Sequence, residues 1–399
     1  MDISQLVSVL DNPLEASEWL HSLGLEDLDR AHANLVSMAQ SRMTLDLLAV
    51  ICTQLEETLP RSSDPDRSLN DLERFFLASR NPLALGSLFE RDPDSLSVLM
   101  QIFSASQYLA DWLIRDPEAF DLLRITEGQP ISRQALVDDI CSDVAATDDE
   151  RVIMMILRRY KHRETLRIAY GDIVRGQNVQ VVAKQISFLA DAIIQGAVHA
   201  AQRILSQTRG VPRLRNGERS RFAVLALGKL GGTELNYSSD IDLIFLCEGE
   251  GKTDGERSIS NSEYFDRLAR LVVKLLTEPT ELGVAYRVDL RLRPQGAQGQ
   301  PVRTLESALR YYDISGRTWE RQAYVKARTV AGDHELGDQF LSQLEPWVYR
   351  RYLSCDEIAG IKSLKRRIQQ RNRVEGEYQS NIKTEHGGNR DNELVIQFL

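Results

Sequence analysis

The chain has 399 residues, of which 42% are hydrophobic, with 58 acidic and 49 basic side chains and a formal net charge of −9. That length and apolar content support two or three folded domains, and the acidic balance excludes a general nucleic-acid footprint. Cys52, Cys141, Cys247 and Cys355 stand far apart without C-x-x-C spacing, and the six histidines show no metal-ligand pattern. Together with the lack of an apolar run of membrane-spanning length or of a signal-like start, this predicts a soluble, cytoplasmic protein with reduced thiols, binding neither membrane nor nucleic acid.

Residues 1 to about 210 read as helical, because apolar positions recur at helix spacing, as in Ile186, Leu189, Ala190, Ile193, Ala197, Ala201 and Ile204. Arg91-Asp92-Pro93-Asp94 is echoed by Arg115-Asp116-Pro117-Glu118. Both read as helix starts, with Asp as cap and Pro in the first turn. Leu157 to Arg167 is a basic helical stretch, either a solvated face or a docking surface for an acidic partner or nucleotide. Thr208 to Ser220, rich in Arg, Gly and Pro, reads as a linker.

The composition then changes. Phe222 to Leu227 is a short apolar run suited to a buried strand, followed by a Gly231-Gly232 turn and a second strand through Asp240-Ile241-Asp242-Leu243-Ile244-Phe245. A charged loop from Glu248 to Ser258 precedes an amphipathic helix from Tyr264 to Thr277. Ala285 to Pro294 alternates strictly and predicts a half-buried strand, with Tyr286, Val288, Leu290 and Leu292 on one face and Arg287, Asp289, Arg291 and Arg293 on the other. A glycine-containing loop, Pro294 to Thr304, is placed to cover a site. Leu305 to Tyr312 and Arg317 to Arg328 predict helices, and from about 335 the chain reads as helical up to a last Gly387-Gly388 turn. The division expected is 1–215 helical, 216–335 catalytic and 336–399 helical, in an α+β fold.

Two carboxylates at i and i+2 of a strand project from one face. Asp240 and Asp242 are thus suited to hold the same Mg²⁺ ions through hard oxygen ligands, and Asp289 supplies a third carboxylate. Gly231 and Gly232 let backbone N–H groups approach a phosphate. Arg321, Lys326 and Arg328 are either surface cations or phosphate contacts. Each feature alone also reads as an ordinary turn, a strand cap or a solvated sheet face. The conjunction favours catalysis, because acids at the mouth of a strand apolar on both faces are costly unless metal or cations neutralise them.

Leu227 to Phe245, Val288 to Gly296 and Trp319 to Arg328 together resemble the bifunctional glutamine synthetase adenylyltransferase/adenylyl-removing enzymes. Leu113-Ile114-Arg115-Asp116-Pro117 and the basic stretch from Leu157 to Ala169 agree with that family. The resemblance implies a nucleotidyltransferase domain of the DNA polymerase β type, a mixed sheet with flanking helices, after an N-terminal all-helical region. A single Gly-Gly…Asp-x-Asp module in this order is similar to the adenylyl-removing half. The implied reaction is attack of inorganic phosphate on AMP esterified to a glutamine synthetase tyrosine, giving ADP and free tyrosine. In it Asp240, Asp242 and Asp289 hold two Mg²⁺, while Gly231, Gly232, Ser238, Ser239, Arg291, Arg293 and Lys326 contact phosphate or nucleotide. Arg287 is the weaker candidate, since it can pair with an acid. The alternatives are ATP-dependent adenylylation of a protein tyrosine, and a silent module docking glutamine synthetase or a PII-type signalling protein. Ile382 to Leu394 is similar to a family motif but has Glu385, Asn389 and Asn392 where the family has glycine and apolar residues. With the chain stopping at Leu399, this reads as a truncated or decaying copy, or as a piece cut from a longer chain, without the AMP-attaching half, and it casts doubt on Lys383 and Arg390 as functional residues.

Overall fold

A computed structural model describes residues 1–349, so the Ile382 to Leu394 motif, with Lys383 and Arg390, lies outside the described residues. The chain divides into two compact units, one of Met1–Ile131 with His162–Gln185, the other of Ser132–Lys161 with the chain from Ile186 onward.

The first unit is helical. Asp2, Asn12, Asp27, Thr44, Asp64 and Asn81 each accept a backbone N–H at a helix start, a contribution of about 1 kcal/mol per cap. Pro13, Pro65, Pro82 and Pro93 occupy first helical turns, where the missing N–H costs nothing. The core centres on Phe75, edge-on to Phe103 and Phe120 at 5.9 and 6.1 Å. The two Asp-Pro signals part company here. Asp92-Pro93 opens the helix Pro93–Ala105, whereas Asp116-Pro117 forms a turn, with the Asp116 carbonyl accepting the Ala119 N–H, and the helix begins at Ala119.

The second unit holds the strands: β1 (Pro212–Leu214), β2 (Phe222–Leu227), β3 (Ile241–Cys247), β4 (Gly251–Thr253), β5 (Val288–Asp289), β6 (Val302–Thr304) and β7 (Arg328–Gly332). The main sheet runs β5-β3-β2-β7, with β6 also paired to β3. β2 is antiparallel to β3 and β7, and β5 and β6 are parallel to β3, so the sheet is mixed and the fold is α+β. Every residue of β2 is buried, and so is all of β3 except Asp242, which is half-buried, as consecutive apolar runs require of central strands. On one face Phe222 stacks between Phe245 and Phe265 of the helix Asn261–Thr277. On the other, Leu225, Leu227, Ile244 and Leu246 meet Tyr312, Tyr324 and Phe340 from three helices.

Three elements differ from expectation. Thr208 to Ser220 is not a free linker, because β1 within it pairs with β4, and Asp254 accepts both the Val211 N–H and the Arg213 guanidinium. The Ala285 to Pro294 strand shrinks to Val288–Asp289. Asp289 takes the Arg291 N–H at 2.8 Å, and the Arg293 N–H turns back to the Leu290 carbonyl, so side-chain and turn bonds replace the ladder. The Arg317 to Arg328 helix spans only Thr318–Tyr324, and Arg328 opens β7 instead.

The helix Val179–Arg209 is, against expectation, long and apolar enough to cross a membrane, since its few charges are widely spaced. Its most apolar window is 72% buried within the protein, as in a core helix. Cys52 and Cys247 are buried, and burial pushes each thiol up to about 12.

Candidate active site

β3 ends the buried run of its face with a carboxylate. Ile244 and Leu246 point into the core, and Asp242, at the same parity, sits where that face reaches the sheet's edge. β5 pairs in parallel with β3, so Asp289 is the register partner of Asp242. Register partners on adjacent strands lie about 4.8 Å apart and share a face. On the other side of β3, Asp242 is opposite Leu227, after which Gly228 turns with φ +57°. A Cβ on Gly228 would lie 2.8 Å from Asp242 Oδ2, so a side chain there would both strain the backbone and push the carboxylate aside.

Asp240 precedes β3 and is more than half exposed. Its carboxylate accepts the Arg287 Nε, while Arg287 also donates to the Ser238 carbonyl and its own carbonyl takes the Ile241 N–H. The expected pairing of Arg287 with an acid is therefore present. Asp289 accepts the Arg291 guanidinium in a two-pronged contact, Nε at 2.9 Å and Nη2 at 2.5 Å to one oxygen. That hydrogen bond, partly opposed by burial, holds Asp289 below the usual carboxylate range. An open groove of about 410 Å³ runs along Asp240, Arg287, Val288, Asp289, Leu290, Arg291 and Arg293. Arg293 faces it but donates to the carbonyls of Leu290, Ala297 and Gly299, bracing the loop after Pro294.

Gly231, Gly232 and Lys326 gather at the glycine turn. Gly231 is buried, and a Cβ there would fall 2.1 Å from the Lys326 carbonyl oxygen. Gly232 is exposed, and its N–H is bonded to the Gly228 carbonyl. The Lys326 side chain passes over Gly232 to pair with Glu234. Ser238 and Ser239 lie on the turn leading into Asp240.

The residues that set this geometry were not visible as site residues. Asp191, fully buried, accepts Arg133 at 2.7 Å and Arg328 at 2.5 and 3.0 Å, and Arg328 donates onward to the carbonyls of Leu230 and Gly231. Arg328, read as a possible phosphate contact, instead ties the glycine turn to the helix Val179–Arg209. Within the basic stretch, Arg158 and Arg167 are buried while Arg159 is exposed, so only part of it is a solvated face. In the second unit, Arg158 donates to the carbonyls of Leu275, Glu278 and Gly283. Lys161, one turn on, donates to the Ala285 carbonyl and lies 4.4 Å over the Tyr286 ring. The pair fixes the segment that leads into Arg287 and Asp289.

Burial, with the charges of Arg158 and Arg287, lowers Lys161 to about 8. In the unfolded chain it titrates near about 10.4. Between these values the unfolded chain holds a proton that the folded chain has released, so this group's contribution to stability rises with pH across that window and is lost as pH falls through 8. The unfolding free energy of wild type minus that of Lys161→Met is expected to rise from about pH 8 to about pH 10. A flat difference in urea unfolding would contradict the assignment.

Among the described residues, no three His, Cys, Asp or Glu side chains are drawn together as a metal-ion set. The donor chemistry nevertheless suits a divalent cation, with the hard carboxylates of Asp242 and Asp289 register partners and that of Asp240 just before β3. Two of the three are turned onto arginines.

A mixed sheet with flanking helices, carrying carboxylates, arginines and a tight glycine turn at one end, defines an α+β protein. Comparison with known proteins makes the class specific. Residues 96–343 match the family model described as glutamate-ammonia ligase adenylyltransferase, and the chain belongs to that family. It is 37% identical over 330 residues to the bifunctional glutamine synthetase adenylyltransferase/adenylyl-removing enzyme of Pseudomonas aeruginosa, covering 81% of this chain and 33% of that one. Its similarity to the enzyme of the same description from Nitrosococcus oceani is 37% over 340 residues, covering 83% and 34%. With that of Pseudomonas putida it is 38% over 302 residues, covering 74% and 31%. The chain spans about a third of the length of these curated relatives.

Proposed function

We propose that this chain removes AMP from an adenylylated tyrosine of glutamine synthetase by phosphorolysis. The observation that carries the reading is the Asp242–Asp289 register pair beside Arg291. Asp289 and the exposed Arg291 guanidinium line one groove with Asp240, and Asp242 adjoins Asp289 in register, which suits a small dianion attacking a phosphodiester. An oxygen of inorganic phosphate forms the new bond to the AMP phosphorus, the bond from that phosphorus to the tyrosine oxygen breaks, and ADP and tyrosine result. Arg291 holds the phosphate. Gly232, exposed and without a side chain, leaves room for the nucleotide phosphate, and Lys326, Ser238 and Ser239 line its approach. Tyrosine, with a pKa of about 10, leaves without a strong general acid, and none of the groove's lining residues is a histidine. Asp240, Asp242 and Asp289 would hold Mg²⁺, which when bound supplies Lewis-acid polarisation of phosphoryl oxygens.

The same reading takes 216–335 as a catalytic segment of the DNA polymerase β nucleotidyltransferase type, following a helical region 1–215, in a cytoplasmic protein with a PII-type signalling protein as a further candidate partner. The test mixes the chain with adenylylated glutamine synthetase, Mg²⁺ and phosphate. Phosphate-dependent ADP is expected. Pyrophosphate release from ATP with unmodified glutamine synthetase would instead establish adenylylation, and binding without turnover in either assay would establish a silent docking module.

A further inference from the structure

The two exposed arginines of the groove do more than border it. Arg287 and Arg291 have side chains 71% and 79% exposed, yet each is turned back onto a carboxylate rather than left in solvent. Arg291 covers Asp289 with Nε and Nη2 together. Asp289 raises its pKa first, and the charges of Asp242 and Asp240 add to that, so this one guanidinium lies in the field of all three acids. Both residues have pinned backbones, since the Arg287 carbonyl takes the Ile241 N–H and the Arg291 N–H is bonded to Asp289. Each side chain thus reaches its carboxylate from a fixed backbone position.

We propose that Arg287 and Arg291 are displaceable caps on the carboxylate site. Resting on the phosphorolytic reading above, a divalent cation and the guanidinium groups compete for the same carboxylate oxygens. A guanidinium displaced by the cation turns to an anionic oxygen in the groove, for which its fork is matched. Cation binding then prepares the phosphate site, and phosphate, by holding the arginines away, strengthens cation binding by the same factor. A guanidinium does not give up its proton in proteins, so the exchange depends on ligands and not on protons. Exposed ion pairs of this kind are weak enough to be exchanged, and removing one is expected to change affinity up to about fivefold.

The test measures Mn²⁺ binding by isothermal titration calorimetry, with and without inorganic phosphate. The proteins are wild type, Arg291→Ala, Arg291→Lys, the Arg287→Ala/Arg291→Ala pair and Asp289→Asn, each checked for an unchanged unfolding transition. Arg291→Ala is expected to bind Mn²⁺ about three- to fivefold more tightly than wild type. Arg291→Lys, which keeps the charge and loses the fork, is expected to show part of that gain, separating contact from long-range field. Phosphate is expected to tighten Mn²⁺ binding in wild type and to leave the double variant unaffected. If wild type binds Mn²⁺, Asp289→Asn loses it, and the arginine variants match wild type, the caps are overturned while the carboxylate site stands. If wild type binds no Mn²⁺, the carboxylate site and the caps fall together.

Discussion

Arg158→Leu is expected to destabilise the second unit by about 3 kcal/mol, because it strips the donor from the buried Leu275 carbonyl and from the half-buried contacts at Glu278 and Gly283. The helix Asn261–Thr277 ends with carbonyls that have no partner inside the helix. The N–H groups of Ala285 and Tyr286 satisfy Leu276, and Arg158 satisfies Leu275 and reaches Glu278 and Gly283 beyond the helix end. Each buried acceptor left unmet costs about 1–3 kcal/mol, and relief from burying a charge offsets part of the sum. Arg158→Lys is not expected to rescue, since an ammonium on a single stem cannot span carbonyls that a planar fork reaches together. Urea unfolding checks both, and a loss below about 1 kcal/mol for Arg158→Leu would show that water replaces the guanidinium.

Asp242→Asn is expected to lower phosphate-dependent ADP release by about two to three orders of magnitude, the scale seen when one electrostatic group of a transition state is removed. The change keeps shape and removes charge. Asp242 has Asp289 and Leu227 as its neighbours in register. Two carboxylates facing each other in register repel, and removing one charge relieves that repulsion, so the unfolding free energy is expected to change far less than the activation free energy. Paired rate and unfolding measurements separate the two effects. An unfolding shift as large as the rate loss would make Asp242 structural.

How far this site could be read in advance depended on whether neighbours in sequence are neighbours in space. β2 and β3 were legible because fully buried strands are written as continuous apolar runs, and the Asp-x-Asp at the mouth of β3 stood out against them. The Asp289 segment was legible as chemistry and misleading as structure. Its alternation predicted a long strand, but Asp289 and Arg293 spend their hydrogen bonds on turns, which alternation does not encode. The supports were hidden for a different reason. Arg158 and Arg167 look like surface cations until their partners, far along the chain, are placed beside them. Asp191 did carry a signal, a lone carboxylate among Leu189, Ala190, Ala192 and Ile193, which demands a buried cation. Nothing local names Arg133 and Arg328 as the cations that answer it.

The central claim is that phosphate itself is the nucleophile at this groove, and isotope placement tests it most directly. Adenylylated glutamine synthetase is incubated with the chain, Mg²⁺ and inorganic phosphate labelled with ¹⁸O in every oxygen, and the released nucleotide is weighed by mass spectrometry. The account predicts ADP in which the whole labelled phosphate has become the β-phosphoryl group, with unlabelled tyrosine restored on glutamine synthetase. AMP free of label would mean that water is the attacking group, and would contradict it.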